Sequence, residues 1–270
     1  MIKTKTLKHL RLTAIILGMS LTYQAEAAQV RVTVTNLAPQ NGTNLTPVWL
    51  GFHDGGFDLY NMGISAPAFL ESAAEDGNTA PVTAAFIASG YNVQTTLTSL
   101  NNPPVFAPGV SNSAVFDLDP TSNRYLSFLS MIIPSNDAFI GNGNQTGHAI
   151  FDVAGNFLGQ DFILTGENVR DAGTEVNDEI PANTAFLGQA SPNTGVTENG
   201  VVGVHSGFLF GGSILGDARF ANADFKSSGY QIARIQVSAV PIPAAMPLML
   251  GGLGLLARLS FRGRSRSAIA

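Results

Sequence analysis

Carboxylates are the residues of this sequence whose types and spacing could do chemistry. Only 12% of the chain is charged, yet the stretch RDAGTEVNDE, residues 170–179, gathers Asp171, Glu175, Asp178 and Glu179 beside Arg170. Asp171 and Glu175 lie four apart across Ala-Gly-Thr, and Gly173 lets such a turn fold tightly. Two carboxylates held ~5 Å apart at an effective dielectric of ~20 repel by roughly 3 kcal/mol. Something must offset that charge, either Arg170 or a hard dication. Calcium takes about six to eight oxygens, so two side chains are too few and a third acid must arrive from another loop. The segment PSNDAF supplies Asp137 directly after a predicted strand. Spacing alone leaves a calcium site and a solvated acidic loop both open. Asp178 and Glu179 are read as solvated neighbours.

Other constellations carry less. Asp117-Leu118-Asp119 begins like a helix–loop–helix calcium loop but has Ser122 and Phe128 where that loop needs Gly and Glu. It is read as a turn entering the next strand. His53 lies in GFHDGGF and His205 in GVHSGF, two segments that share a His-x-Gly pattern. Neighbours on a strand point to opposite faces, so neither His53–Asp54 nor His205–Ser206 is a base–nucleophile pair. Strand-end histidines bonded to backbone are expected. The chain has no cysteine, which excludes thiol chemistry and thiolate metal sites. A hydrolase using two carboxylates on polysaccharide stays open as an alternative, since such pairs lie ~5–9.5 Å apart across a cleft.

The elements that must position these acids are strands. VRVTVTN alternates strictly at residues 30–36, and PVWLGFH, RYLSFLSMII, HAIFDV, DFILTG and QIARIQVSAV follow with polar turns between them. Short strands with regular turns predict an all-β antiparallel sandwich or barrel. One stretch, APAFLESAAEDG, reads as a short helix from Pro67 to Asp76, with Ser65 as cap and Gly77 as stop.

Both ends differ from the middle. Residues 1–27 have a basic start, a short apolar run and Ala25-Glu26-Ala27, the pattern of a secretory signal peptide. Residues 240–270 open on VPIPA, continue as an apolar run from Ala244 to Ala257, and end with Arg258, Arg262, Arg264 and Arg266. That run is marginal for a membrane span, and the arginines would stay on the cytoplasmic side. Between the ends, residues 28–239 fit one domain. Six of the fourteen Lys and Arg remain there against eighteen of the nineteen acids, a net charge of −12. Such a surface repels nucleic acid and attracts divalent cations.

Two resemblances follow from these motifs. The C-terminal layout resembles the PEP-CTERM-type sorting signals read by bacterial exosortases, although Ile242 departs from the usual VPEP and VPLPA forms. It implies export across an inner membrane, transient membrane association, processing of the tail, and a final place at the cell surface or outside, often with extracellular polysaccharide. The middle, through VRVTVTNLAP, LTPVWLGFHDGGFDLYNMG, APAFLESAAEDG, RYLSFLSMIIPSNDAFIGN and VRDAGTEVND, resembles the spondin N-terminal domain. That resemblance implies a C2-like antiparallel sandwich of about eight strands. It also implies a calcium ion held by Asp137, Asp171 and Glu175, with Glu175 where animal members commonly have Asp. The implied role is a non-enzymatic binding or structural module in matrix or adhesion, with a surface protein or polysaccharide as partner.

Overall fold

The computed structural model describes residues 28–241. The apolar run of the signal peptide and that of the sorting tail, with its arginines, lie outside the described residues.

In chain order the strands are β1 (Ala28–Asn36), β2 (Asn44–Leu45), β3 (Val48–His53), β4 (Gln94–Leu97), β5 (Ser111–Leu118), β6 (Tyr125–Ile133), β7 (Ala138–Gly141), β8 (Gln160–Thr165), β9 (Arg170–Asp171), β10 (Gly203–Val204) and β11 (Gln231–Ala239). They form two antiparallel sheets. One runs β5-β1-β11-β8, and the other runs β10-β9-β7-β6-β3-β4 with β2 paired to β6. The first and last strands of the domain lie side by side, from Val30 opposite Ala239 to Asn36 opposite Ala233.

Burial follows from where each strand lies. The strict alternation of β1 buries Val30, Val32 and Val34 against Leu50, Phe52, Leu126 and Phe128 of the second sheet. By contrast, β3 is buried at every residue and β6 at every residue after Tyr125. Such unbroken apolar runs mark strands covered on both faces. Val48, Leu50 and Phe52 face the first sheet, while Trp49 points the other way into a second core with Leu70, Ala73, Val82, Phe86, Leu129 and Phe139. Two helices, α1 (Ala68–Asp76) and α2 (Ala80–Ala88), supply much of that outer layer.

Three local expectations need correction. The helix predicted from Pro67 exists, but Ser65 does not cap it. Pro67 stands at the cap position with extended backbone, and the Ser65 hydroxyl donates to the Gly200 carbonyl at 3.4 Å. A second helix, α2, follows at once. Its sequence APVTAAFIA is apolar nearly all round, so it shows no polar stripe from which the helical period could be read. HAIFDV is not a strand. It makes only single bridges, Tyr125 to Ala149 and Phe151 to Phe157, because Asp152 turns the chain by accepting the N–H groups of Ala154 and Asn156. Asp119 does serve as a turn, accepting the N–H groups of Thr121 and Ser122.

His53 is wholly buried at the end of β3. Its Nδ1 accepts the Gly55 N–H at 3.0 Å, so the ring proton sits on Nε2 and is donated to Ser127 Oγ at 2.9 Å. The His-x-Gly pattern is therefore a turn closed by the ring. Burial lowers the His53 pKa to about 4, against a smaller opposing pull from Asp54. A base whose folded pKa is depressed contributes stability in full above its unfolded value near 6.5 and loses it as pH falls through the folded value. Urea unfolding should show the advantage of wild type over His53→Gln shrinking by about 3 kcal/mol between pH 7 and pH 4. A pH-independent difference would contradict a neutral, buried His53.

Candidate metal centre

One strand pairing brings the distant acids together. In the antiparallel β7–β9 pair, Ala138 stands opposite Asp171. Asp137, just before β7, therefore lies beside the turn that leaves β9. The Ala172 N–H reaches the Asp137 carbonyl at 3.3 Å, and Asp137 Oδ2 accepts the backbone N–H groups of Thr174 and Glu175 at 2.8 and 3.1 Å. The Thr174 hydroxyl adds a third donor at 3.2 Å. Asp171 closes the same turn from within, its Oδ1 accepting the Gly173 N–H at 2.7 Å. Gly173 has φ +68°, and a side chain there would collide with the backbone of Val201.

Glu175 enters from the far side of the turn and is 3% exposed. Its Oε1 accepts the Gly195 N–H at 3.0 Å, and any Cβ at Gly195 would overlap the Glu175 carboxylate. A fourth acid, Glu75 in the last turn of α1, is 4% exposed. Sequence reading missed Glu75. At 3.6 residues per turn it sits about 100° round the helix from Ala74, off the Leu70–Ala74 stripe.

The electrostatics are those of an uncompensated acid cluster. Burial, then the charge of Asp171, raises the Asp137 pKa to about 6 despite its three donors. Burial, then Glu75, raises Glu175 to about 7. Burial, with smaller pushes from Glu71, Asp76 and Asp137, raises Glu75 to about 7, against the pull of Thr174. Arg170 does not neutralise them. Its guanidinium donates to the carbonyls of Glu167 and Val169. Among the described residues the salt bridges are Arg219–Asp217 and Arg234–Asp161, both elsewhere. Two carboxylate oxygens of the cluster, Asp137 Oδ1 and Glu175 Oε2, are buried without any hydrogen-bond donor, as is Asp58 Oδ1.

A relay supports Asp171 from behind. His205 Nδ1 accepts the Gly207 N–H at 3.0 Å, which leaves the proton on Nε2, facing Asn177 Oδ1 at 3.1 Å. Asn177 Nδ2 in turn donates to Asp171 Oδ2 at 2.7 Å. His205 is 1% exposed, and its ring neighbours are Phe208 and Phe225, a different set from those of His53. Asp178 and Glu179 are not solvated neighbours as the sequence suggests. Asp178 accepts from the Ile180 N–H and the Asn183 amide. Glu179 is 4% exposed and accepts the N–H groups of Leu209 and Ile214, pinning the loop between them.

Asp137, Asp171 and Glu175 thus share one turn, with Glu75 beside them. Among the described residues, no group of three or more His, Asp or Glu side chains is placed to hold a metal ion.

Residues 31–145 match the Spondin_N family model. The match supports the spondin N-terminal family and points to an extracellular binding or structural module. It spans β1 to β7 and includes Glu75 and Asp137, but stops before Asp171 and Glu175. The second half of the site therefore rests on this chain's own geometry. No curated protein matches the chain.

For a carboxylic acid whose folded pKa is raised, stability is full below the unfolded value and is lost as pH rises through the folded one. In EDTA, wild type should lose on the order of 2 kcal/mol relative to Glu175→Gln as pH rises from about 4.5 to 8. Thermal melts of the two proteins across that range measure it. A constant difference would mean that Glu175 is not held against its charge.

Proposed function

We propose that this domain is an exported, calcium-binding, spondin-like module that acts at the cell surface or in extracellular matrix. The observation that carries this reading is the pair of buried carboxylate oxygens without donors, Asp137 Oδ1 and Glu175 Oε2. An oxygen-only donor set favours a hard cation, and the two oxygens are free to accept one. Each oxygen of Asp171 already accepts one N–H, but a carboxylate oxygen has a second lone pair to offer. Asp137, Asp171 and Glu175 would hold the ion. Bound there, a dication supplies the positive charge that Arg170 does not.

The chain's own groups determine what binding would order. Asp137 already ties the start of β7 to the turn after β9 through the Thr174 and Glu175 amides. Glu175 ties that turn to the loop around Gly195. A dication would hold the acids in their charged forms, which accept hydrogen bonds more strongly, and so would fix both ties and the loops that flank them. The signal peptide and sorting tail read from the sequence provide the route outward. A surface protein or extracellular polysaccharide is the proposed partner.

The reading is non-enzymatic. Hydrolysis of a polysaccharide needs its carboxylates to flank an open cleft. Asp137 is wholly buried and Glu175 nearly so. The depression beside Thr174, of about 210 Å³, is lined by residues such as Ser65, Glu71, Thr197 and Asn199, with no aromatic ring.

Extracellular calcium modules bind at ~10⁻⁴–10⁻³ M. Ten millimolar calcium against a Kd of ~1 mM stabilises by about 1.4 kcal/mol, or about 3–6 °C in melting temperature. Wild type should show this shift between calcium and EDTA, and Asp137→Asn should not. Superimposable melts for wild type, with no heat on calcium titration, would dismiss the site.

A further inference from the structure

We propose that the cavity beside Phe210 binds a neutral saccharide, with the Phe210 ring as the platform on which a sugar ring stacks. The proposal rests on the binding-module reading above and selects polysaccharide among its partners, but it does not depend on calcium.

The turn that carries Phe210 is built to hold its tip still. The Gly212 N–H returns to the Leu209 carbonyl at 2.9 Å, which leaves Phe210 and Gly211 at the corner, and Gly211 has φ +71°. Phe210 is 103% exposed, the most exposed large apolar side chain among the described residues. A single exposed phenylalanine would mean little by itself. This one sits on a turn fixed by a buried charge. Glu179 accepts the Leu209 N–H at 2.6 Å on one oxygen and the Ile214 N–H at 3.3 Å on the other. Any Cβ at Gly212 would overlap that second oxygen. Burying a carboxylate is costly unless it is hydrogen-bonded, and here its bonds fix both sides of the turn. A ring held in advance loses little freedom when a ligand stacks on it.

Phe210 lines a cavity of about 790 Å³, a size that suits a small-molecule site. Tyr230, Pro39, Asn222, Asp224 and Ser227 line it too. The Tyr230 hydroxyl is engaged by the Thr43 N–H and hydroxyl, which leaves its ring for a ligand. Asn222 Nδ2 donates to the Gln40 carbonyl, so its side-chain oxygen is the group left over. Asp224 accepts from the Lys226 N–H and the Ser227 hydroxyl, one on each oxygen. Each of those oxygens, and the Ser227 oxygen, keeps a lone pair.

The polar groups left for a ligand are therefore acceptors, set beside an aromatic face. A ligand must bring several donors and an apolar side of its own. A pyranose brings both, hydroxyls around its rim and C–H groups that suit the negative face of an aromatic ring. One ammonium group would leave most of the separate acceptors unused. A carboxylated sugar would meet Asp224 on a domain whose net charge is −12.

The test is calorimetry in EDTA on the full chain, with cellohexaose, maltohexaose and N-acetylchitohexaose as neutral probes. At least one should bind wild type, and Phe210→Ala should weaken it by at least about tenfold. Val153→Ala, which trims another exposed apolar side chain, should leave it within about twofold. Circular dichroism checks the fold of each variant, and Asn222→Ala serves as a second cavity variant with the same expected direction. Hexagalacturonate should bind at least about tenfold more weakly than the best neutral probe. Failure of all three neutral probes, or equal affinity of wild type and Phe210→Ala, would overturn the proposal. So would hexagalacturonate or tetralysine binding as tightly as the best sugar, since the cavity would then select charge. None of these outcomes touches the calcium reading, which stands or falls on the melts in calcium and EDTA.

Discussion

Asp137 Oδ2 and the two backbone N–H groups it accepts, from Thr174 and Glu175, form the contact on which the rest of the site depends. It joins positions 37 and 38 residues apart, and it does so with a charged acceptor in a wholly buried setting. Hydrogen bonds to a carboxylate are stronger than those between neutral groups, and losing one partner inside would leave the other unsatisfied. With the turn held this way, Glu175 must point back under the Gly195 loop and Thr174 must lie against α1. The acid cluster is a consequence of that one docking.

The cluster sets a charge problem that the protein's own cations do not solve. A turn with four acids and an adjacent arginine suggests internal pairing, yet Arg170 spends its guanidinium on the carbonyls of Glu167 and Val169. Burial then dominates, and Asp137, Glu75 and Glu175 are all driven towards their neutral forms. A structural core gains nothing from three such acids, since apolar residues of the same size would fill the space without repulsion. Their presence is the charge problem that the proposed cation would answer.

The histidines show how a motif with a tempting chemical reading can be backbone engineering. His53 and His205 each close a two-residue turn by accepting the N–H of a following glycine. That bond fixes which nitrogen carries the proton, and the proton then finds Ser127 in one case and Asn177 in the other. The first arrangement braces β3 against β6. The second reaches Asp171 through an amide and holds the carboxylate's orientation, the kind of outer contact that stiffens a ligand shell.

The sequence by itself determined the sandwich's first strand, the strands at PVWLGFH and RYLSFLSMII, the helix from α1's start to Gly77, and the local turn around Gly173. Period-two alternation, unbroken apolar runs and a glycine in the left-handed region are local signals, readable without knowing any partner. It also singled out Asp137, Asp171 and Glu175 as a group, through their resemblance to a known domain. Only the tertiary structure decided that Asp137 meets the turn through the β7–β9 register. It alone showed that Arg170 turns away, that Glu179 is a buried staple, and that Glu75 is buried. The physical reason is the same for each. Burial of a charged side chain and the choice of its hydrogen-bond partner depend on what folds over it, and for Glu179 the partners lie 30 and 35 residues further along the chain.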